Sequence, residues 1–424
     1  MEHVTTPLPA PAPGIPAEAV VDLDAIAHNV GVLARAVGGS PQGKPVGGSP
    51  QGRREAGGVQ VMAVVKADAY GHGLLPAARA ALAGGATWLG VAHVHEAMRL
   101  RDAGVEADVL AWLLTPGMDL AAALRARIDV SVAALWSLAE VASAARAVGS
   151  PARIHLEVDT GMSRGGASPE EWPRLLDAVA KHVADGLVEV RGTWGHFASA
   201  DVADEKSVPA QLAAFESALQ LAHEHGVDPG LRHHANSAAA LFWPQARYDL
   251  VRAGLAVYGL SPAPGWASAA ELGLRPAMTL TARLAHVRRV PAGTGVSYGL
   301  TYTVARATTL ALVPLGYGDG VPRHASWDGD RAGEVFVAGA RRRIAGRVCM
   351  DQVVVDLGDA QVAAGEVAVV FGSGAAGEAT AQDWADTAGT ISWEVVTRIG
   401  ARVPRRFVGS AGSSPQALPH EVVT

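Results

Sequence analysis

One lysine stands where an apolar run stops. Residues 64 to 73 read VVKADAYGHG. Val61 to Val65 has the short, β-branched character of a buried parallel strand, and Lys66 sits where such a strand would leave the core. A lysine in that place is either a rim residue whose charge snorkels to water or a working amine. Gly71 and Gly73, set around Tyr70 and His72, suit a tight loop that lets backbone approach a ligand. Polar residues recur at the ends of later apolar runs: Glu157 to Arg164 in EVDTGMSR, His196 in GHFASAD, Asn236 and Ser237 in HANSAA, then Arg252 with Gly254 in VRAGLAVYGL. A lysine, two arginines and a histidine at one rim would form a cationic bowl, suited to a phosphorylated cofactor and a carboxylate substrate. Taken singly the same residues have plainer readings, His196 as a satisfied core histidine and Asn236-Ser237 as an ordinary helix cap.

The elements that would carry these residues alternate. From Val61 onward the apolar patterns predict strands at 61–65, 87–92, 108–114, 128–133, 152–159, 187–196, 231–236 and 250–258, with helices between them. Eight βα units over that length imply a TIM-type (β/α)8 barrel, an α/β fold whose chemistry gathers at the C-terminal ends of the strands. In that fold Ser237, after the seventh strand, and Gly254, at the eighth, lie where a phosphate is commonly held. Ahead of the barrel, VVDLDAIAHNVGVLARAV reads as a strand end running into an amphipathic helix, with Asp24 as its N-cap.

Past Leu274 the rhythm changes to strand-like runs, MTLTARLAHVRRV, TTLALVPLGY, EVFVAG, QVVVDLG and EVAVVFG, separated by glycine-rich turns. A mainly β second domain is the expectation. The expected boundaries are a flexible arm over 1–17, the barrel over 18–273, the β domain over 274–409 and a frayed tail over 410–424. Within the barrel, GGSPQG occurs at 38–43 and again at 47–52, so 38–58 reads as a low-complexity surface insertion.

Composition narrows the partners. The 424 residues are 49 % hydrophobic and 18 % charged, with a net charge of −6, so neither nucleic acid nor an anionic membrane is an expected partner. Cys349 is the single cysteine, which excludes an internal disulfide and fits a reducing compartment. The Pro/Ala-rich run from Pro7 to Pro16 lacks the apolar core of a signal peptide, and no run of about twenty apolar residues occurs. The cytoplasm is the expected location. Three histidine pairs, His93/His95, His223/His225 and His233/His234, have neither a cysteine nor a convergent carboxylate set beside them, so no metal site is expected. Trp136, Trp172 and Trp243 on helices read as packing residues, and Cys349 as a small packed side chain.

Taken in order, VVKADAYGHG, VDTGMSRGG, GHFASAD, HANSAA, VRAGLAVYGL, GVSYGLTY, GYGDG, GRVCMDQ and TISWEVVTRIGARVPR closely resemble the alanine racemase family, from about Val20 to Phe407. The resemblance implies pyridoxal 5'-phosphate as cofactor, alanine as substrate, D-alanine for cell-wall precursors as the product in use, and a homodimer whose active sites are shared between subunits. It implies that Lys66 forms the Schiff base with the cofactor and serves as one of two bases, and that Tyr298, from the other subunit, is the base on the opposite face. Racemisation needs two such bases across a planar carbanion. By the same resemblance Arg252 faces the pyridine nitrogen, His196 lies beside the cofactor linked to that arginine, and Arg164 bonds the phenolic oxygen near the substrate carboxylate. Tyr70, Ser237 and Gly254 match phosphate contacts, adjoined by Asn236 and Leu255. From the partner come Met350, whose N–H holds the substrate carboxylate, Asp351 beside it, and Tyr317 and Tyr302, which narrow the entrance.

Two positions depart from the family pattern. Many members carry a carbamylated lysine seven residues before the arginine of VDTGMSR, where this chain has Glu157; either group sets negative charge beside Arg164, though the glutamate is shorter. Glu157 also reads as a strand carboxylate paired for stability. Trp393 stands where the family usually has a tyrosine that reaches the phosphate, which bears on cofactor affinity and substrate range. A racemase for serine or a broader set of amino acids is therefore the alternative within the enzyme class. A non-catalytic pyridoxal-phosphate-binding protein would have a single domain and no opposite-face tyrosine, and a barrel-plus-β decarboxylase would bring a different motif around its late cysteine.

Overall fold

The structure, a computed structural model, describes residues 8–38, 58–202 and 206–412. Most of the expected insertion at 38–58, the start of the arm and most of the tail lie outside the described residues. The chain divides into two compact units, one of Ile26–Ala69 and Leu74–Leu274, the other of Met1–Ala25, Tyr70–Gly73 and Arg275–Thr424.

The first strand, β1 (Ala17–Asp22), corrects the sequence reading. It does not feed the barrel: it pairs antiparallel with Met278–Arg283, with Val20 opposite Thr279, and parallel with Arg405–Val408 in the sheet of the second unit. Five of its six residues are buried, as befits a strand paired on both sides within a sheet and not a free arm. Residues just before it are also engaged, since Pro11 and Ala10 carbonyls accept from Arg283 and Arg406. Asp24 is not the helix cap. Asp22 accepts from the Ala25 N–H at 3.0 Å, while Asp24 accepts from the N–H groups of Ser410 and Ala411 at 2.9 and 2.7 Å.

The larger unit is the expected barrel. Its strands are β2 (Gln60–Val64), β3 (Trp88–Val91), β4 (Asp108–Ala111), β5 (Asp129–Val132), β6 (Ala152–Glu157), β7 (Val188–Trp194), β8 (Leu231–His233) and β9 (Leu250–Ala253), with helices between successive strands. They pair in parallel in the order β8-β7-β6-β5-β4-β3-β2-β9. At the seam between β8 and β9 the ladder gives way to flanking backbone bonds, from Asp249 N–H to the Arg232 carbonyl and from Arg252 N–H to the Ala235 carbonyl. The interior is lopsided. Met62, Trp88, Leu110 and Leu250 form an apolar cluster on one side, whereas β5 to β8 bury Asp129, Ser131, His155, Thr193 and His233. Several strands are shorter than the pattern suggested. The run 250–258 is strand only to Ala253, after which Gly254 starts a 3-10 turn over Leu255–Tyr258. Trp172 is buried, but Trp136 is 42 % exposed, so it is not the packing residue its helical position suggested.

The second unit is mainly β. Its strands are β1 with β10 (Met278–Arg283), β11 (His286–Val290), β12 (Gly295–Val296), β13 (Tyr302–Thr303), β14 (Thr308–Val313), β15 (Glu334–Val337), β16 (Ala340–Arg343), β17 (Val353–Asp356), β18 (Val367–Phe371) and β19 (Arg405–Val408). A six-stranded sheet runs β16-β15-β18-β10-β1-β19, a three-stranded sheet β11-β14-β17, and β12 pairs with β13. Val290, Val296, Val304, Leu310 and Ala345 make a core between the small strands. Two short helices, Ala381–Ala388 and Ser392–Thr397, interrupt the β pattern. Among the described residues no helix is long and apolar enough to cross a membrane.

Candidate active site

Lys66 leaves β2 directly into strained backbone. Val65 still bonds to the Gly90 carbonyl at 2.8 Å as a strand residue would, but Ala67, Asp68, Ala69 and Tyr70 have φ of 53, 52, 56 and 54°. Four consecutive non-glycine residues in the left-handed region cost roughly 1–2 kcal/mol each. The turn is held by specific acceptors. The buried Glu96 carboxylate accepts from Ala67 N–H at 2.7 Å and from Ala92 and His93 N–H at 3.0 and 2.9 Å, and Asp68 accepts from Leu74 N–H at 2.9 Å. The lysine Nζ lies 5.6 Å from the centre of the Trp112 ring. Burial holds the Lys66 ammonium below its usual pKa; Arg164 and Arg252 push the same way and Glu96 opposes them. The result is an amine that gives up its proton, and so reaches its nucleophilic form, more readily than a free lysine.

Arg252, buried on β9, is gripped on both terminal nitrogens. One donates to the His233 carbonyl at 2.6 Å and lies 3.1 Å from His233 Nδ1. The other donates to the carbonyls of Gly195 and His234 at 2.7 and 3.2 Å and lies 3.2 Å from His196 Nδ1. Its guanidinium stacks 4.6 Å from the centre of Trp194. Burial lowers its pKa to about 9, with Glu157 opposing and Arg164 adding, so it stays charged at neutral pH. His196 is held well below its ordinary value by burial and then by Arg252, Arg164 and Lys66, and is neutral.

The other barrel residues gather at the same strand ends. Asn236 caps the helix Ser237–Phe242 through Ala239 N–H at 3.0 Å. Ser237 Oγ accepts from Gly254 N–H at 2.8 Å and Ala256 N–H at 3.4 Å, tying the ends of β8 and β9 together, with Leu255 buried between. So the plain cap reading holds for Asn236, while Ser237 does a different job. Arg164 is exposed on the loop after β6. Glu157, at the end of β6, packs its carboxylate so closely on Gly165 that a Cβ there would stand 3.2 Å from Oε1. Burial raises the Glu157 pKa to about 7, with Arg252 and Arg164 resisting the rise.

The remaining residues belong to the second unit. Tyr70 lies in the segment Tyr70–Gly73, where Gly71 approaches the helix Ser392–Thr397 so closely that a Cβ would meet the Val396 carbonyl at 2.5 Å. That helix carries Trp393, half-buried. Tyr317 and Met350 are brought together: Tyr317 N–H bonds to the Cys349 carbonyl at 3.0 Å and Gly318 N–H to the Met350 carbonyl at 2.8 Å. Arg402 ties the two loops, reaching Asp319 at 3.0 Å and Asp351 at 2.7 Å. The Tyr302 hydroxyl donates to Asp356 at 2.6 Å, and its ring lies edge-on to Trp327. Tyr298, on a turn after β12, is 71 % exposed. Cys349 lies near Ser297 Oγ at 3.4 Å.

Two participants escaped the sequence reading. Glu96 belongs to none of the motifs above, and its one faint signal is its place three residues after His93, the spacing of a capping box. Trp112, just past β4 and inside the expected strand 108–114, carries no signal of a role; only the pairing of the barrel strands brings it beside Lys66. Among the described residues no group of histidines, cysteines and carboxylates could hold a metal ion.

Comparison with known proteins reaches across both units. Residues 51–262 match the family model of the alanine racemase N-terminal domain and residues 277–407 that of the C-terminal domain. The chain is 54 % identical over 394 residues to alanine racemase of Thermobifida fusca, covering 93 % of this chain and 98 % of that one. It is 52 % identical over 390 residues to that of Frankia casuarinae, covering 92 % and 96 %. The crystal structure of alanine racemase from Streptomyces lavendulae superposes with a TM-score of 0.87 at 49 % identity, covering 94 % of this chain and 98 % of that one. The chain belongs to the alanine racemase family.

Proposed function

We propose that this protein interconverts L- and D-alanine with pyridoxal 5'-phosphate bound at the mouth of the barrel, supplying D-alanine for peptidoglycan from the cytoplasm. The observation that carries the reading is the half-buried Lys66 amine at the end of a barrel strand, set on a turn held by Glu96 and made less basic by burial and by the Arg164 and Arg252 charges. The donor set fits the cofactor. Arg164 and Arg252 bring two guanidinium charges around Lys66 to meet a phosphate and a substrate carboxylate, opposed there by the Glu96 carboxylate, and Ser237 with the Gly254 and Ala256 backbone offers a polar cup at the strand ends.

When bound, the cofactor supplies an electron sink that acidifies the substrate's α-proton. The chain's own residues then handle that proton. Lys66 removes or returns it on one face, and the partner subunit's Tyr298 does so on the other. Arg252, a donor that does not give up its proton, would face the ring nitrogen and leave it unprotonated, which limits the sink and favours return of the proton over side reactions. Arg164 would hold the phenolic oxygen and lie near the substrate carboxylate, with Glu157 setting its charge environment as a carbamylated lysine would. His196 would pack beside the ring. Tyr70, Ser237 and Gly254 would contact the phosphate, with Asn236 and Leu255 adjoining and Trp393 close by.

A homodimer is part of the proposal. Tyr298 and Met350 are both exposed, at 71 % and 53 %, as groups offered to a second copy would be. The Met350 N–H, backed by Asp351 and Arg402, would hold the substrate carboxylate, and Tyr317 and Tyr302 would narrow the entrance.

The test is direct. Purified protein loaded with pyridoxal phosphate should interconvert the enantiomers of alanine and show a visible band of lysine-bound cofactor that is lost in Lys66→Ala. Intact, loaded protein without turnover of either enantiomer overturns the reading. Trp393 supports a second reading, a serine or broader-specificity racemase. Turnover of alanine and serine, compared before and after Trp393→Tyr, separates the two, and an unchanged preference removes the second.

A further inference from the structure

Behind Arg252 runs a buried row of polar side chains carried by β9, β8, β6 and β5. Arg252 on β9 faces His233 on β8 at 3.1 Å (Nδ1), His233 Nε2 lies 2.8 Å from His155 Nδ1 on β6, and His155 Nε2 lies 3.3 Å from Asp129 Oδ2 on β5. All four are buried. Between β6 and β8, Trp194 on β7 stacks nearly parallel to His233, with centres 6.1 Å apart, and donates its indole N–H to Ser131 at 2.9 Å. Gly192 on the same strand makes room for His155, because a Cβ there would meet Nδ1 at 2.6 Å.

The chemistry of the donors fixes the direction of this row. A guanidinium has N–H groups and no acceptor, so His233 Nδ1 must accept from Arg252. A neutral His233 then carries its proton on Nε2, which points at His155 Nδ1. That atom must accept in turn, which places the His155 proton on Nε2, facing the Asp129 carboxylate. A second proton on either imidazole would set two N–H groups against each other. Burial, the leading cause, lowers the pKa of both histidines, in keeping with neutral rings. Asp129 is itself pinned: its Oδ1 lies 2.8 Å from Arg153 Nε, a close ion contact without hydrogen-bond alignment, and its Oδ2 is 3.5 Å from Arg191 Nε.

We propose that Asp129 and His155 are positioning residues for Arg252, anchoring a one-way chain of donors that sets which edge of the guanidinium faces the barrel mouth. With both terminal nitrogens of Arg252 occupied by His233, Gly195, His196 and His234, the Nε–H is the one donor outside this set. A side chain so held presents a single N–H of fixed direction, suited to one acceptor nitrogen of an aromatic ring. The functional part of this inference rests on the proposed racemase reading; the direction of the chain does not.

Asp129→Asn tests it sharply. The Arg153 guanidinium lies closer to Oδ1 (2.8 Å) than the Arg191 guanidinium lies to Oδ2 (3.5 Å), so an NH2 group is repelled more strongly at Oδ1, the amide oxygen takes that position and the NH2 group faces His155 Nε2. His155 Nε2 then accepts, its proton moves to Nδ1, His233 must accept at Nε2, and the His233 proton arrives opposite the Arg252 N–H. The chain reverses and pushes the guanidinium away. The measurement is histidine 15N–1H correlation NMR on the full chain, with and without pyridoxal phosphate. In the unaltered protein His155 and His233 should both be neutral with the proton on Nε2. In Asp129→Asn, His233 should carry it on Nδ1, and the loaded enzyme should lose about 10-fold to 100-fold in kcat with little change in KM, the size of effect seen when an outer hydrogen-bond partner of a functional group is removed. Asp108→Asn, which removes a charge paired with Arg153 and Arg191, should leave both protons in place. An Nδ1 proton on either histidine in the unaltered protein overturns the proposal, a result that needs no variant to fold. An unshifted His233 proton in folded Asp129→Asn overturns it too. Neither spectrum depends on racemisation, so failure of the chain and failure of the racemase reading are separate results.

Discussion

Glu96 accepts the backbone N–H of Ala67 at 2.7 Å, one residue past Lys66, with the same carboxylate that takes the N–H groups of Ala92 and His93. Three donors converge on two oxygens, and the left-handed turn after the lysine hangs on them. An amide has one acceptor oxygen and turns its NH2 group toward donors. Glu96→Gln should therefore lower stability by about 1–3 kcal/mol, the cost of leaving a buried donor unmet. Urea unfolding checks the stability, and the visible band of lysine-bound cofactor should weaken in the same variant. Unchanged stability and an unchanged band would show that the turn holds itself.

Glu157 makes stability depend on pH in a direction opposite to most carboxylates. Its folded pKa is raised to about 7 from an ordinary 4.5. Between those values the Glu157 site binds more proton in the folded than in the unfolded state, so its own contribution to stability falls as pH rises through the window. Glu157→Gln removes this falling contribution, so the slope of stability against pH should become more positive in the variant, because the buried histidines with lowered pKa values contribute a rise over the same range. The check is the midpoint of urea unfolding of the cofactor-free protein from about pH 4.5 to pH 7 in both proteins; identical slopes would reject the assignment.

Gly192 is a place where a single methyl should be costly. A Cβ would meet His155 Nδ1 and the Leu231 carbonyl, both at 2.6 Å. One of these is backbone of β8, which cannot swing aside, so strain of about 1–3 kcal/mol is expected for Gly192→Ala. Thermal unfolding should show the loss. The control is Gly149→Ala, where the helix Leu135–Val148 ends with φ of 76° and no atom lies near a Cβ: that variant should lose only the cost of the left-handed backbone, about 1 kcal/mol.

The proposed two-base chemistry predicts unequal damage from one base. In Tyr298→Phe, exchange of the α-proton in deuterated water should be lost from one enantiomer of alanine and retained at least in part from the other. Equal loss from both would count against roles on opposite faces. Because Tyr298 is 71 % exposed, the change should leave folding stability within about 0.5 kcal/mol, which circular dichroism melts can verify.

Much of the site is legible in the amino-acid sequence. Lys66, Arg252 and the Asn236-Ser237 pair fall at strand ends because a barrel strand is a short apolar run, and the residue that terminates such a run necessarily emerges at one rim. Periodicity works less well where a strand is shared. Ala17–Asp22 has the right pattern, yet its partners are β10 and β19, hundreds of residues away, and no local signal names them. Asp22 and Asp24 are both plausible caps by type; which one bonds to Ala25 is decided by where Ser410 and Ala411 arrive.

The sequence by itself determined the element order, the two-unit plan and the residue types at the barrel rim, since these follow from hydrophobic period and from motifs that are contiguous along the chain. The partners of those residues came only with folding. Glu96 under the lysine turn, Trp112 beside its amine, and the row from Asp129 through His155 and His233 to Arg252 join residues separated by tens of positions. Each strand points its side chains inward at alternate places, and only the register of neighbouring strands decides which of them meet.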